Sequence, residues 1–387
     1  MLSQRVKNLN NKKIKILGSG PTGSLLALSL ASNNYDVVLV EPLSDASLCA
    51  KEKGYAITQS SRKIFEEYNL WIDIEKYASG FNSLSIIDDQ LSQSVIIRKN
   101  DLKRFNKDQN NIGWVIEHKH LMQVLLDKIN KNKHILKVNI SSTPNNFFDF
   151  ILAADGRDSS TRKDWGIKYF KRFYKQRCIS FQAILKNIPD ARAYEIFRHE
   201  GPLALLPIKN NVYQVIWFST ISETKAKLKL SKSKLLERLS AILPDEIKPE
   251  IIVSEISNYS VAQAFALPKF NHFNNILVGD AAHSFHPVGG QGLNSCIRDV
   301  YELSDMIRNY DNLSIFTRKI FSLSFFLSRC NDIISLLLFT DFLIKLFSNK
   351  FSFLYPLRIL IFYLLRKIKF IRINVFSLMT DSMKKYD

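Results

Sequence analysis

"KIKILGSGPTGSLLALSLASNNYDVVLVE", residues 13–41, decides the fold. Residues 13–17 are a short apolar run of the kind found in buried parallel strands. Leucines at helical spacing predict a helix over residues 21–32, and a second apolar run at 37–40 predicts another buried strand, which Glu41 closes. A strand, a turn, a helix and a second strand in this order predict an α/β fold that begins with a Rossmann-like unit.

The turn of this unit carries three glycines in the pattern G-x-G-x-x-G, which in this context is a dinucleotide-binding fingerprint. Gly18 permits the tight turn, Gly20 lets a pyrophosphate approach the backbone, and Gly23 lets the helix pack close to the strand. Glu41 can accept hydrogen bonds from ribose hydroxyls. Because a carboxylate at this position repels a 2′-phosphate, the fingerprint favours FAD or NAD over NADP.

Two later segments repeat the arrangement of an apolar strand followed by glycine and acid. The stretch "FDFILAADGRDSSTR" (148–162) leads into Asp155-Gly156, and "NNILVGDAAHSFHPVGGQGLNSCIRDVYEL" (274–303) leads into Gly279-Asp280. The second segment is rich in glycine and predicts a helix after Gly290. Because ligands lie at the carboxyl ends of the strands in an open α/β sheet, these three strand ends are expected to line one long cofactor.

With these residues in view, the chain resembles the class A flavoprotein aromatic hydroxylases of the para-hydroxybenzoate hydroxylase fold. Within them it is most similar to the ubiquinone-biosynthesis branch, the polyprenylphenol hydroxylases. The resemblance covers residues 13–310 and rests on "GSGPTG", "SSRKIFEEYNLWIDI", "AADGRDSSTR", "EGPLALLP" and "GDAAHSFHPVGGQGLNSCIRDVYEL". It implies an α/β fold in which a Rossmann-like FAD-binding domain carries an inserted antiparallel-sheet substrate domain and C-terminal helices.

The resemblance also implies a set of cofactor-binding residues. They are Gly18, Gly20, Gly23, Glu41, Lys53, Asp155, Gly156, Asp280, Pro287, Gly290, Gln291, Gly292 and Asn294. The fingerprint glycines and Glu41 would hold the ADP half of FAD, and Asp155-Gly156 would serve both FAD and the nicotinamide donor. Asp280 would bind the ribityl or ribose side, and residues 287–294 would run beside the isoalloxazine ring. Glycines let a flat ring lie against the backbone, and the N–H groups that open the next helix can stabilise negative charge on reduced flavin.

Some residues depart from the pattern of the resembled branch. Lys53 stands where an arginine is common, which keeps the charge but loses the planar fork, and His118 stands where a small amide is expected. His283 and His286 are spaced H-x-x-H, without a carboxylate between them or a cysteine nearby, so no metal site is expected. We expect His283 to pack near the flavin and His286 to reach the active-site rim. No catalytic acid or base is identified.

The middle of the chain has another character. Residues 178–219 contain four alternating runs, "CISFQAIL", "AYEIFRH", "LALLPI" and "VYQVIWFS", and "IIVSEISN" (251–258) adds a fifth. They predict an antiparallel sheet with one buried face. In the resembled family this sheet roofs the flavin, and its apolar lining suits a phenol with a prenyl tail.

The predicted domains follow from these segments. The FAD-binding domain comprises residues 1–78, 106–175 and 268–315, the substrate domain 79–105 and 176–267, and the C-terminal helices 316–387. The implied activity is hydroxylation of the phenolic ring of a polyprenylphenol intermediate of ubiquinone biosynthesis. It uses NADH or NADPH and dioxygen, through the C4a-hydroperoxide of the flavin. Two alternatives stay open: another flavin oxidoreductase of this fold, such as a prenyl reductase, or a non-catalytic membrane-associated relative.

The formal net charge is +18, and residues 315–387 hold twelve Lys or Arg against four Asp. These charges are mixed with bulky apolar residues, whereas nucleic-acid tails are polar between their charges. The composition therefore favours helices that lie on a membrane surface over nucleic-acid binding, and the same helices packing as a core cap is the alternative. No uncharged apolar run reaches about 18 residues, so no spanning helix is expected.

The cysteines and the first residues bear on the compartment. The four cysteines are scattered without a C-x-x-C pair, which favours a reducing compartment. "MLSQRVKNLNNKK" is basic without an apolar core, and we expect a polar lead-in rather than a secretory signal. We therefore expect a cytoplasmic protein associated peripherally with the inner face of the cell membrane, where other biosynthetic proteins are further candidate partners.

Overall fold

The computed structural model describes residues 12–101, 110–140, 144–189, 191–268 and 274–380, so the predicted polar lead-in of residues 1–11 lies outside the described residues. The strands are β1 (Lys13–Leu17), β2 (Asp36–Val40), β3 (Gly54–Ile57), β4 (Ser79–Phe81), β5 (Ser83–Asp88), β6 (Gln93–Arg98), β7 (Gly113–Glu117), β8 (Ile135–Val138), β9 (Phe150–Ala153), β10 (Tyr169–Lys186), β11 (Arg192–Phe197), β12 (Leu203–Lys209), β13 (Val212–Thr220), β14 (Lys248–Ile252), β15 (Ser257–Ala266), β16 (Asn275–Leu277) and β17 (His283–Ser284).

The α-helices alternate with these strands and then follow them. They are α1 (Pro21–Ser32), α2 (Asp45–Cys49), α3 (Gln59–Glu67), α4 (Trp71–Ile74), α5 (His118–Asn130), α6 (Ser160–Asp164), α7 (Ile221–Lys227), α8 (Lys232–Ser240), α9 (Gln291–Arg308), α10 (Ile315–Lys319), α11 (Phe321–Phe347), α12 (Tyr355–Lys367) and α13 (Lys369–Thr380). The predicted β1–α1–β2 unit and the helix after Gly290 are confirmed.

The first sheet is parallel and has the order β16-β9-β1-β2-β8. Its central strands β1, β2 and β9 are largely buried. Strand β1 carries two lysines, Lys13 and Lys15, on one face, while Ile14 and Ile16 on the other face pack in the core with α1. Helix α1 packs between the sheet and α9, where the hydroxyl of Ser29 donates a 2.6 Å hydrogen bond to the hydroxyl of Ser304. This layer forms one hydrophobic core.

The second sheet has the order β17-β15-β10-β13-β12-β11-β5-β6, with β14 also paired to β10. Its pairs are antiparallel except β11 with β5, which run parallel. The antiparallel prediction is therefore correct for most of the sheet and wrong at this junction, because β5 comes from a distant part of the chain. A small third sheet has the order β3-β7-β4.

Two further expectations about the second sheet are corrected. The single strand predicted over 251–258 is two strands, and the segment between them is hydrogen-bonded to Gln182 of β10. There the backbone N–H of Gln182 donates to Ser254 Oγ at 2.8 Å, and its carbonyl accepts from the N–H of Val253 at 2.9 Å. The sheet also buries both faces at its centre, since Leu203 and Leu205 pack toward α8 while the alternate residues of β12 line a cavity.

The C-terminal helices pack against the rest of the protein and also expose apolar side chains. Phe347, Phe362 and Phe376 are buried in the core that also holds residues of β6 and β13. Arg358 of α12 forms two hydrogen bonds with Asp88 of β5, one of 2.7 Å, and both side chains are fully buried. Across the described part of the chain, none of the helices combines the length and the apolar character that crossing a bilayer demands.

Candidate active site

The strand ends predicted to meet do lie side by side. Strands β16, β9, β1 and β2 are consecutive neighbours in the parallel sheet, so their carboxyl ends share one edge. The residues that follow them are Asp280, Asp155, the glycine turn after Leu17, and Glu41. The sheet therefore brings the predicted set together across four adjacent strands.

The fingerprint glycines divide into two kinds. Gly18 has φ of +97°, and a Cβ there would lie 2.6 Å from the carbonyl oxygen of Ala154. A Cβ on Gly23 would lie 1.9 Å from the carbonyl oxygen of Gly18, so both glycines are required by the packing of the chain itself. Gly20 differs, because no described atom lies within 4 Å of its Cβ position. It is the N-cap of α1 and provides no side-chain cap, so the first N–H groups of this helix face open space.

Glu41 holds this turn in shape. The carboxylate is 6% exposed and accepts hydrogen bonds from the backbone N–H groups of Ser19 at 2.7 Å and Leu43 at 3.0 Å. Each carboxylate oxygen has a second lone pair, so the fixed carboxylate can still accept a hydroxyl hydrogen bond. The structure thus adds a turn-stabilising role to the predicted one.

The next two strand ends present carboxylates with spare acceptor capacity. Asp155 Oδ2 accepts from the N–H of Thr161 at 3.1 Å, while its buried Oδ1 has no hydrogen-bond partner. Gly156 follows with φ of +87°, which favours glycine. Asp280 is exposed at the same edge, with Oδ1 3.7 Å from the Sγ of Cys296. An unpartnered buried oxygen at a sheet edge favours a ligand that donates hydrogen bonds.

The second glycine stretch forms the entry to α9. Gly289 and Gly290 have φ of +73° and +65°, and Gly290 is the N-cap of α9 without a side-chain cap. No described atom lies within 4 Å of a Cβ placed on Gly292. An uncapped helix N-terminus beside bare backbone suits a flat ring that carries negative charge.

Asn294 ties this stretch to β3. Its amide donates to the carbonyls of Ala56 at 2.8 Å and Gly290 at 2.9 Å, and its Oδ1 accepts from the N–H of Thr58 at 3.1 Å. The side chain is fully buried, so its observed work is to fix the backbone beside the glycines. Pro287 and Gln291 lie on the same side of the stretch and line the cavity described below.

A buried ionic network holds α9 in place. Asp299 accepts from the N–H of Gly279 at 3.0 Å, lies 2.6 Å from Nε2 of His283, and accepts from Nε of Arg329 at 2.7 Å. Burial alone would raise the pKa of Asp299, but the charges of His283 and Arg329 hold it well below its usual range. His283 therefore supports the loop that carries Asp280.

Three other singled-out side chains lie near the site. His286 is fully buried with its ring centre 4.9 Å from that of Phe218, and burial lowers its pKa to about 3, so it is neutral. His118 is also buried, with Nε2 2.7 Å from the carbonyl oxygen of Leu48 and Nδ1 2.9 Å from the hydroxyl of Tyr55. The ammonium group of Lys53 lies 5.1 Å from the centre of the Tyr55 ring. In the described ranges, no three ligating side chains cluster around a candidate metal position.

A cavity of about 770 Å³, its open mouth included, lies between the glycine stretch and the second sheet. One wall contains Pro287 and the backbone of Gly289 and Gly290, and Phe376 of α13 closes part of another. The sheet contributes alternate residues of β12 and β13 and residues 193–195 of β11, nearly all of them apolar. Such a lining suits an apolar aromatic ligand.

One polar residue in this cavity was missed by the sequence analysis. Glu195 of β11 is 7% exposed, and its Oε1 has no hydrogen-bond partner. Burial raises its pKa to about 7, although a hydrogen bond from the backbone N–H of Gly289 acts in the other direction. The available signal was an acid in the middle of "AYEIF", an otherwise apolar strand.

Comparison with known proteins agrees with this geometry. Residues 12–309 match the model of a family described as FAD binding domain. The 3-demethoxyubiquinol 3-hydroxylase of Escherichia coli strain K12 is 24% identical over 324 residues, which cover 77% of this chain and 80% of that protein. The ubiquinone hydroxylase UbiL of Rhodospirillum rubrum is 24% identical over 359 residues, covering 87% and 82%.

Among solved structures, the crystal structure of p-nitrophenol 4-monooxygenase PnpA from Pseudomonas putida DLL-E4 superimposes with a TM-score of 0.78. The sequence identity is 17%, and the match covers 97% of this chain and 99% of that chain. This likeness establishes the fold, including the arrangement of the parallel sheet, the second sheet and the C-terminal helices.

Proposed function

The chain belongs to the FAD binding domain family and is an FAD-dependent monooxygenase, and from this premise we propose that it hydroxylates the ring of a polyprenylated phenol in ubiquinone biosynthesis. The observation that carries the proposal is the apolar cavity, which joins the glycine stretch at the entry of α9 to the second sheet and to α13. Its walls accept an aromatic ring, and the names of the relatives point to prenylated quinone precursors as the class of substrate.

The residues present fit FAD on the evidence of open and unpartnered positions. Gly20 and Gly292 leave space beside two uncapped helix N-termini, and Asp155 has an unpartnered buried oxygen. In this proposal the turn at Gly20 and Glu41 hold the ADP half, Asp155 and Asp280 take hydroxyl groups, and residues 287–294 lie along the ring. When bound, FAD accepts a hydride from NADH or NADPH and activates dioxygen for transfer of one oxygen atom to the phenol.

The protein's own contribution is to position the phenol and to exclude water. Apolar side chains of β12 and β13, such as Leu206 and Phe218, form the wall opposite the glycine stretch. Asn294 fixes that stretch through its hydrogen bonds with Gly290, Ala56 and Thr58, which keeps the ring-binding backbone rigid. Rigid, dry walls favour oxygen transfer over wasteful release of peroxide.

We also propose that the C-terminal helices lie against the inner face of the cell membrane. Phe376 lines the cavity from α13, while Phe370 of the same helix is 74% exposed. Exposed apolar side chains continue along α12 beside the exposed cations Arg366 and Lys367. An apolar face with a basic border is typical of helices that bind anionic lipid surfaces, where a prenyl tail would also reside.

The proposal is tested with the purified flavoprotein on anionic vesicles that carry a short-chain prenylphenol, NADH or NADPH, and isotope-labelled dioxygen. We expect mass spectrometry to find one labelled oxygen atom in the phenol for each nicotinamide oxidised. Nicotinamide oxidation that yields only hydrogen peroxide with every phenol would contradict the proposal. A product with a saturated prenyl double bond and no added oxygen would instead identify a prenyl reductase.

A further inference from the structure

Glu195 is a buried carboxylate with no cation beside it among the described residues. It lies on β11 between Tyr194 and Ile196, whose side chains pack into the core on the other face of the sheet, toward α8. Its own side chain points into the cavity beside the backbone of Gly289, and its buried Oε1 has no hydrogen-bond partner among the described residues. That oxygen is therefore free to accept a proton.

The side chains that line the cavity from neighbouring elements do not neutralise this carboxylate. They are Leu84 of β5, Ala204 and Leu206 of β12, Phe218 of β13, Gln291 of α9 and Phe376 of α13. Among the described lining residues, the only other titratable group is the phenol of Tyr194, which packs on the opposite face. Charged groups therefore do not offset the burial of Glu195 in the described part of the cavity.

A purely structural role accounts poorly for such a residue. Among the described residues, several other buried carboxylates form ion pairs, as Asp88 does with Arg358, and the buried Glu41 accepts two backbone N–H groups. Burying a carboxylate without such partners opposes folding, and a glutamine of the same shape would fill the position at lower cost. An unpaired acid in a ligand cavity, with its pKa raised to about 7, indicates a chemical role instead.

Resting on the proposed function, we propose that Glu195 is the general base that accepts the proton of the substrate's phenolic hydroxyl. The O–H bond of the phenol breaks, its electron pair stays on the phenol oxygen, and the proton bonds to Oε1 of Glu195. The ring becomes more electron-rich and therefore a better nucleophile toward an electrophilic oxygen atom. After oxygen transfer, the ring carbon loses its hydrogen as a proton, which joins the second oxygen atom of dioxygen as that atom leaves in water. Glu195 returns its own proton to the phenolate, so the charge balances without a further reactant.

The test compares wild-type holoenzyme with Glu195→Gln and with Glu75→Gln, a matched change at an exposed glutamate of the FAD-binding region. We expect kcat/KM for the phenol to rise with pH and level off above about 7 in wild type and in the Glu75 variant. In Glu195→Gln it should be about 100- to 10,000-fold lower and lack this rise. Unchanged FAD content and an unchanged or higher melting temperature of Glu195→Gln verify that the variant folds.

A binding measurement gives a readout independent of turnover. On oxidised holoenzyme at pH 8, wild type should bind the phenol about tenfold or more tightly than its methyl ether, because the carboxylate accepts the phenolic hydrogen bond. Glu195→Gln should lose most of this preference. A full rate with an unaltered pH profile and ether discrimination in Glu195→Gln would overturn the assignment while the hydroxylase function stands. Absence of hydroxylated phenol from wild type itself would overturn the proposed function and, with it, this role.

Discussion

Replacing Glu195 by glutamine should change how the stability of the protein depends on pH. Burial raises the pKa of this carboxyl from its ordinary value of 4.5 to about 7. Between these values the folded state holds a proton that the unfolded state has released, so the free energy of unfolding falls as pH rises. A shift from 4.5 to about 7 corresponds to about 3 kcal/mol, most of it lost by pH 7 and all of it by about pH 8.

The assay is urea unfolding between pH 4.5 and 8 at a fixed excess of FAD, with Glu195→Gln measured beside wild type. The variant's free energy of unfolding should gain on that of wild type by about 3 kcal/mol from pH 4.5 to 8, and the difference should level off above pH 7. Other titrating groups cancel in the difference, and Glu75→Gln should give a difference that stays flat. A flat difference for Glu195→Gln, or one that grows toward low pH, would refute the inference of an uncompensated buried carboxyl.

Three further predictions follow from other parts of the structure. Gly20→Ala should leave the melting temperature of the FAD-free protein unchanged but weaken FAD binding about tenfold or more, whereas Gly23→Ala should also lower the free energy of unfolding by about 1–3 kcal/mol. Equal flavin titrations for wild type and Gly20→Ala would refute the binding of FAD in the open space at Gly20. Arg358→Leu should lower the free energy of unfolding, measured in urea, by about 3–5 kcal/mol, because it leaves Asp88 buried and unpaired. A loss below about 1 kcal/mol would show that this ion pair does not hold the C-terminal helices on β5. Phe370→Glu should leave FAD binding intact and reduce cosedimentation with anionic vesicles, and undiminished binding would argue against α13 as the lipid contact.

The parallel sheet and its first helix could be predicted because their sequence signals are local. The spacing of Gly18, Gly20 and Gly23 between an apolar strand and a helix has one common structural solution, and the strands ending near Asp155 and Asp280 follow the same rule. The second sheet was harder to predict, because strand order and the parallel pairing of β11 with β5 depend on contacts between distant segments. Local alternation does not encode which strand becomes the neighbour.

The residues of the candidate site also divide into those that local sequence predicts and those that it does not. Glycines and acids at strand ends were identifiable, since their residue type and position imply a ligand at the sheet edge. The role proposed for Glu195 could not be identified from the sequence, because β12, β13, α13 and the glycine stretch together form the cavity around it. The burial of His286 could not be predicted for the same reason, since it comes from packing against Tyr174 and Phe218, which are distant in the sequence.

The visible absorption spectrum of the purified protein, taken anaerobically before and after addition of NADH or NADPH with and without a short-chain prenylphenol, tests the central claim most directly. We predict a yellow protein with oxidised flavin bands that bleach on reduction, and that bleach faster when the phenol is present. A colourless protein that also fails to bind added FAD would contradict the account.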